Sequence, residues 1–478
     1  MRGLWITFCG LAALLAVAFQ VETAQVRYLD ADELEHLNAA WLVSKGGTLY
    51  EDVFENHPPL MALLLQPIVR SAAGPEAMVH SARGAMLALA LATLVVVGWI
   101  AARLGGLACA ASAVLLLATH TFFFQKGLEV RPDVPALLLI AVALALLALR
   151  PGAMSWLAAG ALLGLAALFT PKVVYVGAGA ALGSAVAGSI AAERGRFAAA
   201  MRALGWIALG GGIVAGIAAL AMARDGILGG FVSDVLGTSL RMRIDDASAF
   251  RVHYLLTTLR ANPAMWALAL FGVIAASRVR DRVAPISAWV LGASLAAGVV
   301  GLFLIQAPMR QYFLTFLVPV ACFGALGAVR IVAWSASVRR GAGALVLAAL
   351  VAAVLVPPAL ELRRDEGTMQ DQLGILTKVL ELTGPEDRVF DCWTGLYLTR
   401  RPASRHFYLN TDVQRLLGPG ALEAEVLPAL RNPEVRLVIS DEDCGHLPSS
   451  IQSYVQQEFA PVPGWPFLLL RRPAAPEP

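Results

Sequence analysis

Charge is what this chain has least of. Asp, Glu, Lys and Arg make up 15% of its 478 residues, against roughly 25% in soluble domains, and lysine is scarce among the basic ones. With 58% hydrophobic residues and a mean hydropathy of +0.68, that deficit excludes a soluble enzyme. The net charge of +3 comes without any basic tract, so nothing points to nucleic acid. Five cysteines follow no metal-ligand spacing, and no His-rich metal signature is present. A Gly-rich phosphate loop, a Ser/His/Asp order of a known type and an internal repeat are all missing. The last absence removes the repeat signature of many transporters.

What is present is hydrophobic runs of membrane length. A spanning helix needs about 20 mainly apolar residues. That rule predicts spans near 3–21, 83–102, 107–124, 134–150, 153–169, 173–190, 204–223, 262–277, 284–305, 311–329 and 342–358. The chain is therefore read as a mostly α polytopic membrane protein with about eleven transmembrane helices. Leu60–Val69 is too short to span and is expected to lie at the interface or re-enter. The start, Arg2-Gly3 and then Leu4 to Phe19, has the pattern of a signal peptide. With so many spans downstream, an uncleaved first helix is the expectation.

Arginines decide the orientation. Arg103, Arg150, Arg194, Arg196, Arg202, Arg278, Arg280, Arg282, Arg330, Arg339 and Arg340 fall in one alternate set of loops, which with Arg2 is cytoplasmic by the positive-inside rule. The segments 22–82, 125–133, 170–172, 224–261, 306–310 and everything after 358 then face outward. This divides the chain into a membrane domain, 1–360, whose first outer loop is 22–82, and a C-terminal extracytoplasmic domain, 361–478. The second domain has a helix-like stretch at 366–382 and strand-like runs at Arg388–Asp391, Arg436–Ser440 and Phe467–Leu470. It reads as a small α/β or α+β module. Cys392 and Cys444 lie in it and can pair if it is extracytoplasmic. Cys9, Cys109 and Cys322 read as small core residues.

The outward set holds nearly all the chemically capable side chains. Asp30, Asp32, Glu33, Glu35 and His36 crowd the start of the first loop, just beyond an apolar run. If 32–44 is a helix, Asp32 and His36 share a face at i, i+4, while Glu33 points toward Leu37 and Trp41. Such a carboxylate against apolar surface can act as a general base; the plain alternative is a solvated amphipathic helix. Asp32 and His36 are two possible metal ligands, too few to define a site. Further on, Pro58 and Pro59 bias His57 toward an extended backbone and present it rigidly. Lys126, Glu129, Arg131 and Asp133 share one short loop, where Asp133 reads as a helix N-cap and Arg131 as a partner for an acid or a phosphate. Lys172, Arg310 and Tyr312 stand at span ends, where a lone cation is often only an anchor. The loop 224–261 carries Arg224, Arg241, Arg243, Arg251, Arg260, Asp225, Asp234, Asp245 and Asp246, and its length suits a cover over a cleft.

Several of these residues recur in one family. Asp32-Glu33 after a first span, then Gly46, Tyr50, Asp52, Phe54 and His57-Pro58-Pro59-Leu60, resemble the dolichyl-phosphate-mannose-protein mannosyltransferase-like group. Arg131-Pro132-Asp133 and Arg310 with Tyr312 look like that group too, so the resemblance runs over about 22–330. These are membrane glycosyltransferases of the GT-C fold, which also includes the aminoarabinose transferase of lipid A. The resemblance implies a sugar donor on a polyprenyl phosphate and a lipid, glycan or protein acceptor reached from the outer side. It implies inversion at the anomeric carbon and a base at Asp32, with Glu33 beside it. The extra acid Asp30 departs from the pattern and leaves the base open between Asp30 and Asp32. His57, Arg131, Asp133, Lys172, Arg310 and Tyr312 become the candidates for the donor phosphate, with no certain cofactor and a divalent cation as an option. The competing class is a transporter or flippase of a lipid-linked or anionic substrate, which predicts polar residues near mid-span; a catalytically dead scaffold is the third. Ala-, Gly- and Arg-rich usage fits a GC-rich bacterial genome, hence the bacterial inner membrane, the N-terminus cytoplasmic and the C-terminal domain periplasmic.

Overall fold

A computed structural model describes residues 2–192, 194–242, 247–276, 283–305, 309–339, 341–361 and 368–473. Arg243, Asp245, Asp246, Arg278, Arg280, Arg282, Arg340 and 306–308, all named above, lie outside the described residues. The chain forms two compact units. One comprises 1–24, 83–221 and 246–365; the other comprises 25–82, 222–245 and 366–478. The C-terminal residues thus cluster with the first outer loop and with part of the 224–261 segment.

Every apolar run expected to span is helical. Among the described residues, six helices are long and apolar enough to cross a membrane by themselves: Gly3–Val26, Pro75–Gly105, Val173–Ala191, Arg196–Arg224, Ile286–Leu304 and Arg310–Val338. Leu107–Thr119, Asp133–Leu149, Ala153–Ala167 and Ala342–Val356 are shorter apolar helices, and so is Leu60–Ser71. Lipid supplies no hydrophobic drive for helix association, so contact surfaces there use small residues. Pro263–Ala276 packs on Leu317–Val338 so closely that a Cβ on Gly272 would stand 1.8 Å from the Phe323 carbonyl oxygen. Val173–Ala191 meets Val283–Leu304 in the same way at Gly179, where a Cβ would fall 2.4 Å from the Ala293 carbonyl oxygen.

The 224–261 segment is helical for most of its described length, not a plain loop. It has short turns at Leu228–Phe231 and Thr238–Arg241, a π-helical turn at Val232–Gly237 between them, and then the helix Ala247–Ala261. That helix and Pro263–Ala276 bend by 91° at their junction. Pro263 cannot donate to the preceding turn. Asn262 takes up the break: its amide donates to the Thr258 carbonyl at 3.2 Å, and its Oδ1 accepts the Thr121 N–H at 3.0 Å.

The second unit carries the sheet. Strands β1 (Arg388–Asp391), β2 (Arg401–Pro402), β3 (Val435–Ile439), β4 (Phe459–Val462) and β5 (Trp465–Arg471) lie in the order β2-β1-β3-β5-β4. β1 is parallel to β2 and β3, while β3–β5 and β4–β5 are antiparallel. Parallel strands need crossover connections, and Pro419–Arg431 lies in the one that leads from β2 past β1 to β3. Cys392, just past β1, is bonded to Cys444, just past β3, with Cα atoms 5.5 Å apart. Cys9, Cys109 and Cys322 are free and buried.

Candidate functional site

The acidic stretch folds as the helix Ala31–Ser44, and its first residues are spent on starting it. Four N–H groups at a helix N-terminus lack backbone partners. Asp30 is the N-cap: its carboxylate accepts the Asp32 N–H at 3.2 Å, and the Glu33 carboxylate accepts the Asp30 N–H at 3.0 Å. This is a capping box. Glu33 is fully buried, whereas Asp32 is half-buried, one turn before His36. Of the three acids considered as the base, Asp30 and Glu33 hold the helix end with their carboxylates, and Asp32 joins the cap only through its backbone N–H.

One turn on, the helix meets the segment that follows the Tyr50 turn. Tyr50 takes a left-handed φ of 69°, rare for a bulky residue, and the surroundings fix it there. Its hydroxyl donates to the His57 carbonyl at 2.9 Å, its ring packs edge-on to Phe231, and Arg405 donates to its carbonyl at 2.6 Å. Arg405 also pairs with Asp234. The turn brings Glu55 and His57 against Glu35 and His36. His57 Nδ1 lies 2.7 Å from Glu55 Oε1 and 3.8 Å from Glu35 Oε1, and the two imidazoles meet edge-to-face at 4.7 Å. The His57 backbone N–H also donates to Glu55 at 3.0 Å.

Burial dominates the titration of this cluster. It pushes His36 down toward the neutral imidazole, against the pull of Glu55. Burial alone would push Glu55 up, but its two histidine partners outweigh that and hold it below the usual carboxylate range. The Tyr50 phenol is pushed up by burial and by the Glu55 and Asp234 charges. His57, expected to face a foreign anion, faces carboxylates of its own chain. Glu35 and Glu55 are the members that sequence reasoning did not single out as site residues. Their signal was the pairing of Glu35-His36 with Glu55-x-His57, legible only once the Tyr50 turn is known to close.

The C-terminal residues brace this region. Asn38 Nδ2 donates to the Gly395 carbonyl at 3.1 Å, Tyr408 accepts the Asn56 N–H at 3.2 Å, and Gln372 donates to the Leu29 carbonyl at 2.9 Å. Phe54 stacks against His406 with centroids 4.3 Å apart.

The other unit gathers cations. Lys126 donates to both Glu129 oxygens at 2.9 Å, and Arg131 donates to Glu129 at 3.1 Å. Asp133 is the first residue of its helix, not its cap: Pro132 holds that position. A carboxylate in the first turn still complements the helix dipole, and Asp133 accepts from Lys172 at 3.4 Å. Lys172 is more than a span-end anchor, since its ammonium also sits 3.7 Å from the Tyr312 ring centroid. Arg310 is exposed, 5.6 Å from the Tyr254 ring. Tyr254, Leu255, Trp266, Leu302, Phe313 and Phe316 line a small apolar recess that Arg251 also borders.

No family model and no curated protein matches the sequence. Solved structures do. ArnT from Cupriavidus metallidurans bound to undecaprenyl phosphate aligns over 99% of this chain and 98% of its own, at 11% identity and a TM-score of 0.66. The fold is the GT-C fold. The archaeal oligosaccharyltransferase AglB from Archaeoglobus fulgidus, in complex with an inhibitory peptide and a dolichol-phosphate, aligns over 91% of this chain and 69% of its own (12% identity, TM-score 0.60). The Archaeoglobus fulgidus oligosaccharyltransferase in complex with Zn and sulfate aligns over 96% and 73% (13% identity, TM-score 0.58). A chain with this fold and these apolar helices is a multi-pass membrane protein.

Proposed function

We propose that this chain is an integral membrane glycosyltransferase that moves a sugar from a polyprenyl-phosphate-linked donor to an acceptor on the outer, periplasmic face of a bacterial inner membrane. The observation that carries the reading is the near end-to-end likeness to a GT-C protein bound to undecaprenyl phosphate. Sugar transfer from a phosphate requires a base for the incoming hydroxyl and fixed cations for the departing phosphate. Asp32 is the base on this reading: it is half-buried in the first turn of the helix, and its carboxylate is not one of the two that form the capping box. Asp30 and Glu33 position it through the helix cap.

Lys172 and Arg131, with Arg310, offset the charge of the leaving phosphate. Arg131 offers a bidentate fork, and Lys172 is a compact point charge held over the Tyr312 ring. Asp133 orients Lys172. The apolar recess beside Tyr254 suits the first isoprene units of the carrier. Attack from the face opposite the phosphate inverts the anomeric carbon, and no nucleotide is needed. The test is transfer of labelled sugar from polyprenyl-phosphate donors, comparing wild type with Asp32→Asn at matched expression. Loss in Asp32→Asn with transfer retained in Asp30→Asn supports the assignment; the reverse moves the base to Asp30. Solute or lipid crossing without transfer replaces the enzyme by a transporter.

A further inference from the structure

We propose that Glu35, His36, Glu55 and His57 form a binding site for a divalent transition metal of the zinc type. The four come from two segments, a helical Glu-His pair and a Glu-x-His turn, and one ligand atom of each lies within 4.8 Å of the other three. A tetrahedral site with metal–ligand bonds of about 2.0–2.2 Å sets its ligand atoms about 3.3–3.6 Å apart. The separations of 3.8 Å from His36 Nδ1 to Glu55 and from His57 Nδ1 to Glu35 are near that value. The 2.7 Å His57–Glu55 contact has to open by about 1 Å.

Two features set the cluster apart from an ordinary ion-pair network. The His36 ring is 2% exposed, and its Nδ1 has no hydrogen-bond partner among the described residues, a costly arrangement for a buried acceptor or donor. Two buried carboxylates also converge on one imidazole, His57, at 2.7 and 3.8 Å, as ligands to a shared ion would. Two imidazoles with two carboxylates favour zinc, cobalt or nickel over magnesium or calcium, which take all-oxygen sets. A candidate outer partner is close by: the Tyr408 hydroxyl, which accepts the Asn56 N–H, feels the Glu35 carboxylate. Metal here would tie the 50–59 turn to the helix that carries Asp32. The site stands whether or not sugar transfer is found.

The experiment uses the full chain purified in detergent without chelator. Metal content is measured by mass spectrometry, and the protein is then stripped and titrated with Co²⁺ and with Zn²⁺. We expect about one zinc per chain, tetrahedral d–d bands with Co²⁺, and a zinc-dependent rise in thermal stability. His36→Ala and the partly exposed His57→Asn should abolish the bands. Tyr408→Phe should weaken zinc about tenfold, and His406→Asn, which alters the separate His406–Glu425 pair, should leave zinc binding intact. A wild type with neither stoichiometric metal nor Co²⁺ bands overturns the proposal, as do bands that survive in both histidine variants. The wild-type spectrum decides even if a variant fails to fold.

Discussion

Replacing Cys392 and Cys444 together by serine removes a cross-link whose ends are 52 residues apart in sequence. In the chain-entropy account, closing a loop of that length restricts the unfolded chain by about 4 kcal/mol at 25 °C. Native contacts at the bridge add to this loss. The Trp393 and Cys444 N–H groups both donate to Asp441, at 3.0 and 3.1 Å, and Gly395, three residues past Cys392, receives Asn38 of the acid helix. The double variant should melt earlier than wild type in detergent, and wild type treated with reductant should melt with it. Protease sensitivity should rise in 392–410 before it rises elsewhere. Alkylation of the denatured, unreduced protein should label three of the five cysteines, Cys9, Cys109 and Cys322. Five labelled cysteines in protein isolated from its native membrane would refute the bond, and with it the extracytoplasmic placement of this segment. An intact bond whose loss leaves melting unchanged would refute the entropic magnitude.

Burial, reinforced by the Asp441 carboxylate, pushes Asp391 up to about 7 against hydrogen bonds from Gly395 and Thr394. The folded form keeps this proton at pH values where the unfolded chain has lost it, so stability is full below about pH 4 and declines as pH rises through 7. The decline is at most about 4 kcal/mol; Asp391→Asn should flatten it, with melting above wild type at pH 8 and near wild type at pH 4. Gly272→Ala drives a methyl onto the Phe323 carbonyl and should destabilise by about 1–3 kcal/mol or more, while Gly216→Ala, which meets open space, should be silent by fluorescence-detected size exclusion. Lys172→Met should lower sugar transfer about a hundredfold or more, with Lys172→Arg retaining part of it because the charge remains.

Hydropathy made the apolar helices legible because each run is continuous, and the strands 388–391, 435–439 and 465–471 showed as short β-branched or leucine-rich runs between turn signals. β4 was hidden by Pro461, which argues against a strand and is tolerated here at the sheet edge. β2 is too short to leave a pattern. The helices Thr411–Leu417, Pro419–Arg431 and Ser449–Glu458 were unmarked because proline, glycine and polar residues interrupt their apolar periodicity. The capping box was written in Asp30 and Glu33 but read as catalytic potential, since the same carboxylates serve both ends. Lys172 needed tertiary contact to tell pairing with Asp133 and Tyr312 from simple anchoring. The Glu/His cluster depends on a left-handed Tyr50, and no residue preference announces that.

The transfer reaction is tested with labelled sugar on polyprenyl-phosphate donors in membranes containing wild type or Asp32→Asn at equal abundance. Label should enter an outer-face acceptor with wild type and fail to do so with Asp32→Asn although the protein remains folded. Undiminished transfer by Asp32→Asn would contradict the assignment of the base, and no transfer from any such donor by wild type would contradict the account itself.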